Sequence, residues 1–169
     1  IDAINQEFSL SKQKPKFKGL LTTGNIENKK VYAIKPLTFM NNSGICIKEL
    51  IEYFKINAKD VIVFHDDLDI DLGKVKAKFG GTSAGHNGIE SIDKSIGKDY
   101  SRVRVGIGRP MHPMTSADYV LSPITEKDRL AFKSATQCAA DAVRCLVCDG
   151  VITAMNRYNS RKNESPITQ

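Results

Sequence analysis

Strands and helices alternate along this chain, which predicts an α/β fold: a single domain over residues 1–169 with a mixed, twisted β-sheet sandwiched between helices in three layers. Three patterns carry that expectation. Val61-Ile-Val-Phe64 is a continuous apolar run of strand length, typical of a strand covered on both faces. Val75, Ala77 and Phe79 alternate with Lys74, Lys76 and Lys78, and Val103, Val105 and Ile107 alternate again, the period-two mark of a half-exposed strand. From Thr125 to Cys148 a long amphipathic helix runs through Leu130, Ala131, Ala135, Cys138, Ala142 and Leu146.

The remaining elements follow in order. Ile1, Ile4 and Phe8 fall at helical spacing, so the chain opens inside a helix. Lys12 to Lys18 reads as a basic, proline-containing loop, and Val31 to Ile34 as a short strand ending at Pro36. Asn42-Ser43 can cap a helix whose apolar stripe is Ile47, Leu50, Ile51 and Phe54. Ile89 to Ile96 forms a short helix. Gly150 ends the long helix, Ile152 to Tyr158 starts another, and the tail after Arg161 frays. No linker or internal repeat divides the chain, and 169 residues suit one ordinary domain.

Composition removes several classes. With 41% hydrophobic and 26% charged residues the chain is neither disordered nor coiled coil. No run approaches the roughly 18 apolar residues of a membrane span, and none resembles a signal peptide. Cys145-Leu-Val-Cys148 is a lone C-x-x-C without a second pair or a ligand-spaced His, so zinc is disfavoured. The four cysteines read instead as buried reduced thiols, pointing to a reducing cytoplasm.

The net charge of +6 suggests a polyanionic partner, and its distribution says more. Asp60 to Asp71 holds five acids and no base, whereas Leu72 to Pro110 holds eight bases against three acids. Lys76 and Lys78 leave one face of a strand, and Arg102 and Arg104 leave one face of another. On neighbouring strands these four cations would form one patch able to grip phosphates, or simply a solvated polar face.

Three segments can carry chemistry. His65-Asp-Asp-Leu-Asp-Ile-Asp71 follows the apolar strand, at the end that tends to face a ligand crevice. Asp66 or Asp67 can orient an imidazole there, or merely cap the next turn. A calcium loop does not fit, because counting from Asp67 places Leu72 where Gly belongs and Lys78 where Glu belongs. Gly80 to Gly88 has four glycines within nine residues and His86-Asn87 in its bend, letting backbone approach a ligand, with the following helix start supplying unpaired N–H donors. It matches neither a Walker A loop nor G-x-G-x-x-G, and a purely structural loop is the alternative. Thr38-Phe-Met-Asn41-Asn-Ser-Gly44 offers a spare amide at a strand-to-helix junction. No G-x-S-x-G elbow exists, so a covalent serine mechanism is disfavoured.

KPLTFMNNSG (35–44), FHDDLDIDLGKVKAKFGG (64–81), GHNG (85–88) and RVRVGIGRP (102–110), in this order and spacing, closely resemble the bacterial-type peptidyl-tRNA hydrolase family, over the whole chain. The resemblance implies an esterase that cleaves peptide from the 3′ ribose of tRNA and recycles the tRNA for translation. It also implies a cytoplasmic monomer with no membrane, metal or organic cofactor. By position, Asp66 matches the Asp that holds and polarises a catalytic His, and Asn87 the Asn that positions the ester. Asn41 matches the Asn of the peptide and water site, with Met40 and His86 also in the substrate cleft. Lys78 and Arg104 match a clamp on the tRNA 5′ phosphate, assisted by Lys76.

One departure stands out. Family members begin with a strand, a Gly-Asn-Pro-Gly turn and an Arg-His-Asn-x-Gly segment whose His is the general base; the present sequence starts after that point. His65, His86 and His112 occupy other family positions. The expectation is an N-terminally incomplete record of an active enzyme, itself without the proton acceptor, with a gap left in the sheet. The rival readings are a non-catalytic RNA-binding protein of the same fold, like the splicing-factor relatives of plant chloroplasts, and a metal-dependent hydrolase using the Asp66–Asp71 acids.

Overall fold

The computed structural model describes residues 1–110 and 113–160, so His112 and the tail after Arg161 lie outside the described residues. Its strands are β1 (Lys14–Lys16), β2 (Gly19–Ile26), β3 (Lys29–Pro36), β4 (Ile62–Asp67), β5 (Val75–Phe79) and β6 (Ser101–Gly106). Its helices are α1 (Asp2–Glu7), α2 (Ser43–Phe54), α3 (Asn87–Ile96), α4 (Ser116–Leu121) and α5 (Arg129–Asn159).

The strands form two three-stranded sheets rather than one. β1-β2-β3 is an antiparallel meander, and β4-β6-β5 is mixed, with β4 parallel and β5 antiparallel to β6. Helices pack on each sheet: α5 on β5 and β6 with α1 on α5, and α2 on β3 and α3. The larger core joins Val75, Ala77 and Val103 to Ala135, Ala139, Ala142 and Leu146 of α5. A smaller one joins Ile4 and Ile26 to Ala140 and Val143. Phe64 of β4 packs against both.

The basic stretch from Lys12 to Lys18 is not all loop, as its residues suggested, but contains β1, and β2 was also missed. Both hairpins of the meander turn through two residues at positive φ, Phe17-Lys18 and Glu27-Asn28, the backbone of a type I′ turn. Only Asn28 advertises such a turn in sequence. Pro15 and the exposed lysines suit β1 to a sheet edge.

The long C-terminal helix bends at Gly150 (φ 83°, ψ 173°), where the expected break between two helices falls. Beyond it, Asn159 reaches the outer edge of β5. Its Oδ1 accepts from the Ala77 N–H (3.0 Å) and its Nδ2 donates to the Ala77 carbonyl (2.9 Å), standing in for a neighbouring strand. The cysteines are free, but Cys138 is half-buried and Cys148 exposed, correcting the expectation that all four are buried.

α2 and α3 cross where Gly44 meets Ser91. A Cβ on Gly44 would fall 2.2 Å from the Ser91 carbonyl oxygen, so only glycine permits this approach. Asn42 makes no capping hydrogen bond; instead the Ser43 hydroxyl donates to the Met40 carbonyl (2.9 Å), and the Gly44 N–H donates to Ser91 Oγ (3.0 Å). These bonds hold the short 3-10 turn Met40–Asn42 against α3.

Candidate active site

β4 ends at Asp66-Asp67, and α3 begins at Asn87 after the glycine-rich loop; the end of the strand meets the start of the helix. His86 Nε2 lies 3.2 Å from Asp66 Oδ1. His86 is also the N-cap of α3, its Nδ1 accepting the N–H groups of Gly88 (3.1 Å) and Ile89 (3.3 Å). An Nδ1 that accepts two hydrogen bonds carries no proton, so the neutral ring has its hydrogen on Nε2 and donates it to Asp66. That bond, as the largest influence, holds the Asp66 carboxyl below its ordinary range despite partial burial.

The capping corrects one expectation. The Gly88 and Ile89 N–H groups, expected to be open donors, are taken by His86, and the Glu90 N–H by the His86 carbonyl (3.0 Å). Asn87, the first residue of the helix, carries an amide side chain that can donate at this end. Met40 lies against Gly88 at this helix end, where an added Cβ would stand 2.5 Å from Met40 Sδ. The structure thus brings Asp66, His86, Asn87 and the Met40-Asn41 turn to one end of the mixed sheet.

His65 packs edge-on against His86, with ring centroids 5.0 Å apart. Its Nδ1 is 2.7 Å from the Asp66 carbonyl, and its buried Nε2 has no partner among the described residues. Burial above all pushes its pKa down to about 4, so the ring is neutral at pH 7.

The cations lie on one face of the mixed sheet, as their alternation suggested: Lys76 pairs across with Arg104, and Lys78 with Arg102. Like charges directly opposite repel, and two carboxylates relieve them. Arg104 Nε donates to Asp67 Oδ2 (2.8 Å). Burial of the Asp67 carboxyl raises its pKa, but the Arg104 and Asp69 N–H hydrogen bonds outweigh this and leave it lowered. Arg102 is 2% exposed and bonds Asp93 (2.9 Å), so it belongs to the interior and not to the phosphate-gripping patch in which the sequence placed it. Lys76 and Lys78 make no ion pair among the described residues.

The acids at the end of β4 and just beyond it do not converge: Asp66 binds His86, Asp67 Arg104, Asp69 Arg109 and Asp71 Lys74. Sequence reasoning missed the role of Asp67 as partner of Arg104. Its signal was the parallel register of β4 on β6, which sets Asp67 beside Gly106, one step along the face from Arg104.

Fold and site define a three-layer α/β protein with an acid–imidazole–amide cluster at a strand end, next to a cationic sheet face. A family model described as peptidyl-tRNA hydrolase matches residues 1–166. A peptidyl-tRNA hydrolase of Pelagibacter ubique is 70% identical over 147 residues, covering 87% of this chain and 79% of the relative. One from Bacillus subtilis is 35% identical, covering 95% and 86%. Among solved structures, a point mutant of the Acinetobacter baumannii peptidyl-tRNA hydrolase superposes with a TM-score of 0.87 at 31% identity, covering 94% of this chain and 82% of that one. The chain belongs to the peptidyl-tRNA hydrolase family.

Proposed function

We infer that this chain hydrolyses the ester between peptide and tRNA, with water as nucleophile and Asp66, Asn87 and the cationic face as its working parts. The single observation that carries the site assignment is the Asp66–His86 contact at the start of α3, beside Asn87. Family membership supports the reaction; the alternative of a non-catalytic RNA-binding protein has no comparable support.

The chemistry follows from which lone pairs are free. Both nitrogens of His86 are engaged, and the open nitrogen of His65 is buried, so neither ring is placed to take a proton from water. Asp66 Oδ2 has no side-chain partner among the described residues and is available to align the base imidazole that the family resemblance implies. With that imidazole in place, a water would give it a proton and attack the ester carbonyl; the tetrahedral adduct would then expel the tRNA 3′ oxygen, which takes the proton back as the C–O bond breaks. The Asn87 amide stabilises the developing oxyanion, and the Asn41 amide faces the peptide side. General-base assistance contributes about 10²–10⁴-fold and one oxyanion donor about 10²–10³-fold. Lys78, with Arg104 and Lys76, holds the 5′ phosphate: Arg104 offers a guanidinium steadied by Asp67, and Lys78 a point charge.

The partner is then the acceptor end of peptidyl-tRNA, met by a monomer in the cytoplasm. Among the described residues no helix is long and apolar enough to cross a membrane. Asp66→Asn tests the reading: turnover of peptidyl-tRNA should fall about 10²-fold or more while tRNA binding is kept. Equal loss of turnover and binding removes Asp66 from the chemistry. Activity retained in excess chelator separates this reading from a metal-dependent one.

A further inference from the structure

Arg102 is the most deeply buried charge among the described residues, and the proposed reaction does not use it. Its Nη1 donates to the Thr82 carbonyl (2.8 Å), and its Nη2 to the Gly81 carbonyl (3.1 Å) and Asp93 Oδ1 (2.9 Å). The guanidinium stacks on Tyr100, whose hydroxyl donates to the same Asp93 oxygen (2.7 Å). Such burial is costly unless the fork geometry is exploited, and here two of its arms end on the backbone of one loop.

That loop supports Lys78. Gly81 has φ +93°, and a Cβ there would fall 2.5 Å from both Cε and Nζ of Lys78, so the lysine side chain lies against the bare glycine. Lys78 is also the cross-strand partner of Arg102. We infer that Arg102 is a positioning residue: by clamping the Gly81 and Thr82 carbonyls it shapes the seat that sets the Lys78 ammonium for the phosphate. Asp93 cancels its charge, so Arg102 shapes the anion site without itself attracting the anion.

This rests on the proposed phosphate role of Lys78, and the experiment separates the two. The probe is an acceptor-stem RNA hairpin carrying either a 5′ phosphate or a 5′ hydroxyl, and the readout is the ratio of the two affinities, which a general loss of stability leaves unchanged. Arg102→Lys keeps the charge facing Asp93 but loses the two-carbonyl fork. It should lower the phosphate preference about tenfold, as Lys78→Ala should, the loss of one charge-assisted hydrogen bond. The double variant should lose no more than either alone. Gly81→Ala, on the exposed side of the loop, should do the same without touching the buried ion pair. If Arg102→Lys and Gly81→Ala keep the wild-type preference while Lys78→Ala loses it, the positioning role is overturned and the phosphate role stands. If Lys78→Ala also keeps the preference, both are overturned.

Discussion

His86 performs two separable tasks, and substitution can split them. Nδ1 caps α3 through two backbone N–H groups, while Nε2 donates to Asp66. Asparagine is among the best N-caps, so His86→Asn keeps the first task and loses the second; His86→Ala loses both. A hydrogen bond to a charged group contributes about 1.5–3 kcal/mol, and the 31% exposure of the Asp66 side chain favours the lower end. A lost cap costs about 1 kcal/mol more. At pH 7 we expect losses of about 1.5 kcal/mol for His86→Asn and about 2.5 kcal/mol for His86→Ala, read from urea unfolding followed by circular dichroism.

Acid should erase the first part. The Asp66 carboxyl is held low in the folded chain chiefly by the His86 hydrogen bond. Its contribution is therefore complete above an ordinary carboxylate pKa of about 4 and disappears as the pH falls through the lower folded value. The gap between wild type and His86→Asn should close over that range. Equal instability of the two variants at pH 7 would refute the cap, and a gap unchanged in acid would refute the bond to Asp66.

Three further outcomes are expected. Removing Lys78 should flatten the salt dependence of tRNA binding by about one unit of log–log slope, and removing Arg104 by less, because Asp67 already balances Arg104; equal slopes in titrations from low to physiological salt contradict that. Asn159→Ala should cost about 1–3 kcal/mol in urea unfolding, two hydrogen bonds to the Ala77 backbone, and an unshifted midpoint means water replaces them fully. His65 resists protonation down to about pH 4, so between about pH 6.5 and 4 the unfolded chain takes up the proton first and stability falls with the pH; His65→Gln should flatten that decline in a pH series of unfolding curves.

Much of the fold was legible because packing imposes simple periods. The apolar run ending at Phe64, the alternation at Val75–Phe79 and the stripe on α5 each announced a buried face. β1 and β2 were not legible, since a lysine-rich edge strand looks like loop and its turns use Phe17-Lys18 and Glu27-Asn28 without glycine. In the site, the choice of Asp66 and Asn87 came from the family resemblance, whereas the acids that end the apolar strand and the cationic face could be placed from the ends and faces of strands. Arg102 could not, because arginine in a period-two pattern counts as surface unless its carboxylate is known, and Asp93 approaches from another element. His86 was read as a substrate contact; that its ring also closes a helix depends on backbone geometry no spacing reveals.

Asn159 bears on more than stability. β5 borders the mixed sheet, and its outward N–H and C=O groups at Ala77 would otherwise be open to a strand from another molecule. By turning at Gly150 and ending on that border, the C-terminal helix sews it shut from within the same polypeptide. Loss of that stitch would show in concentrated samples as sticking between copies, even where each copy still folds.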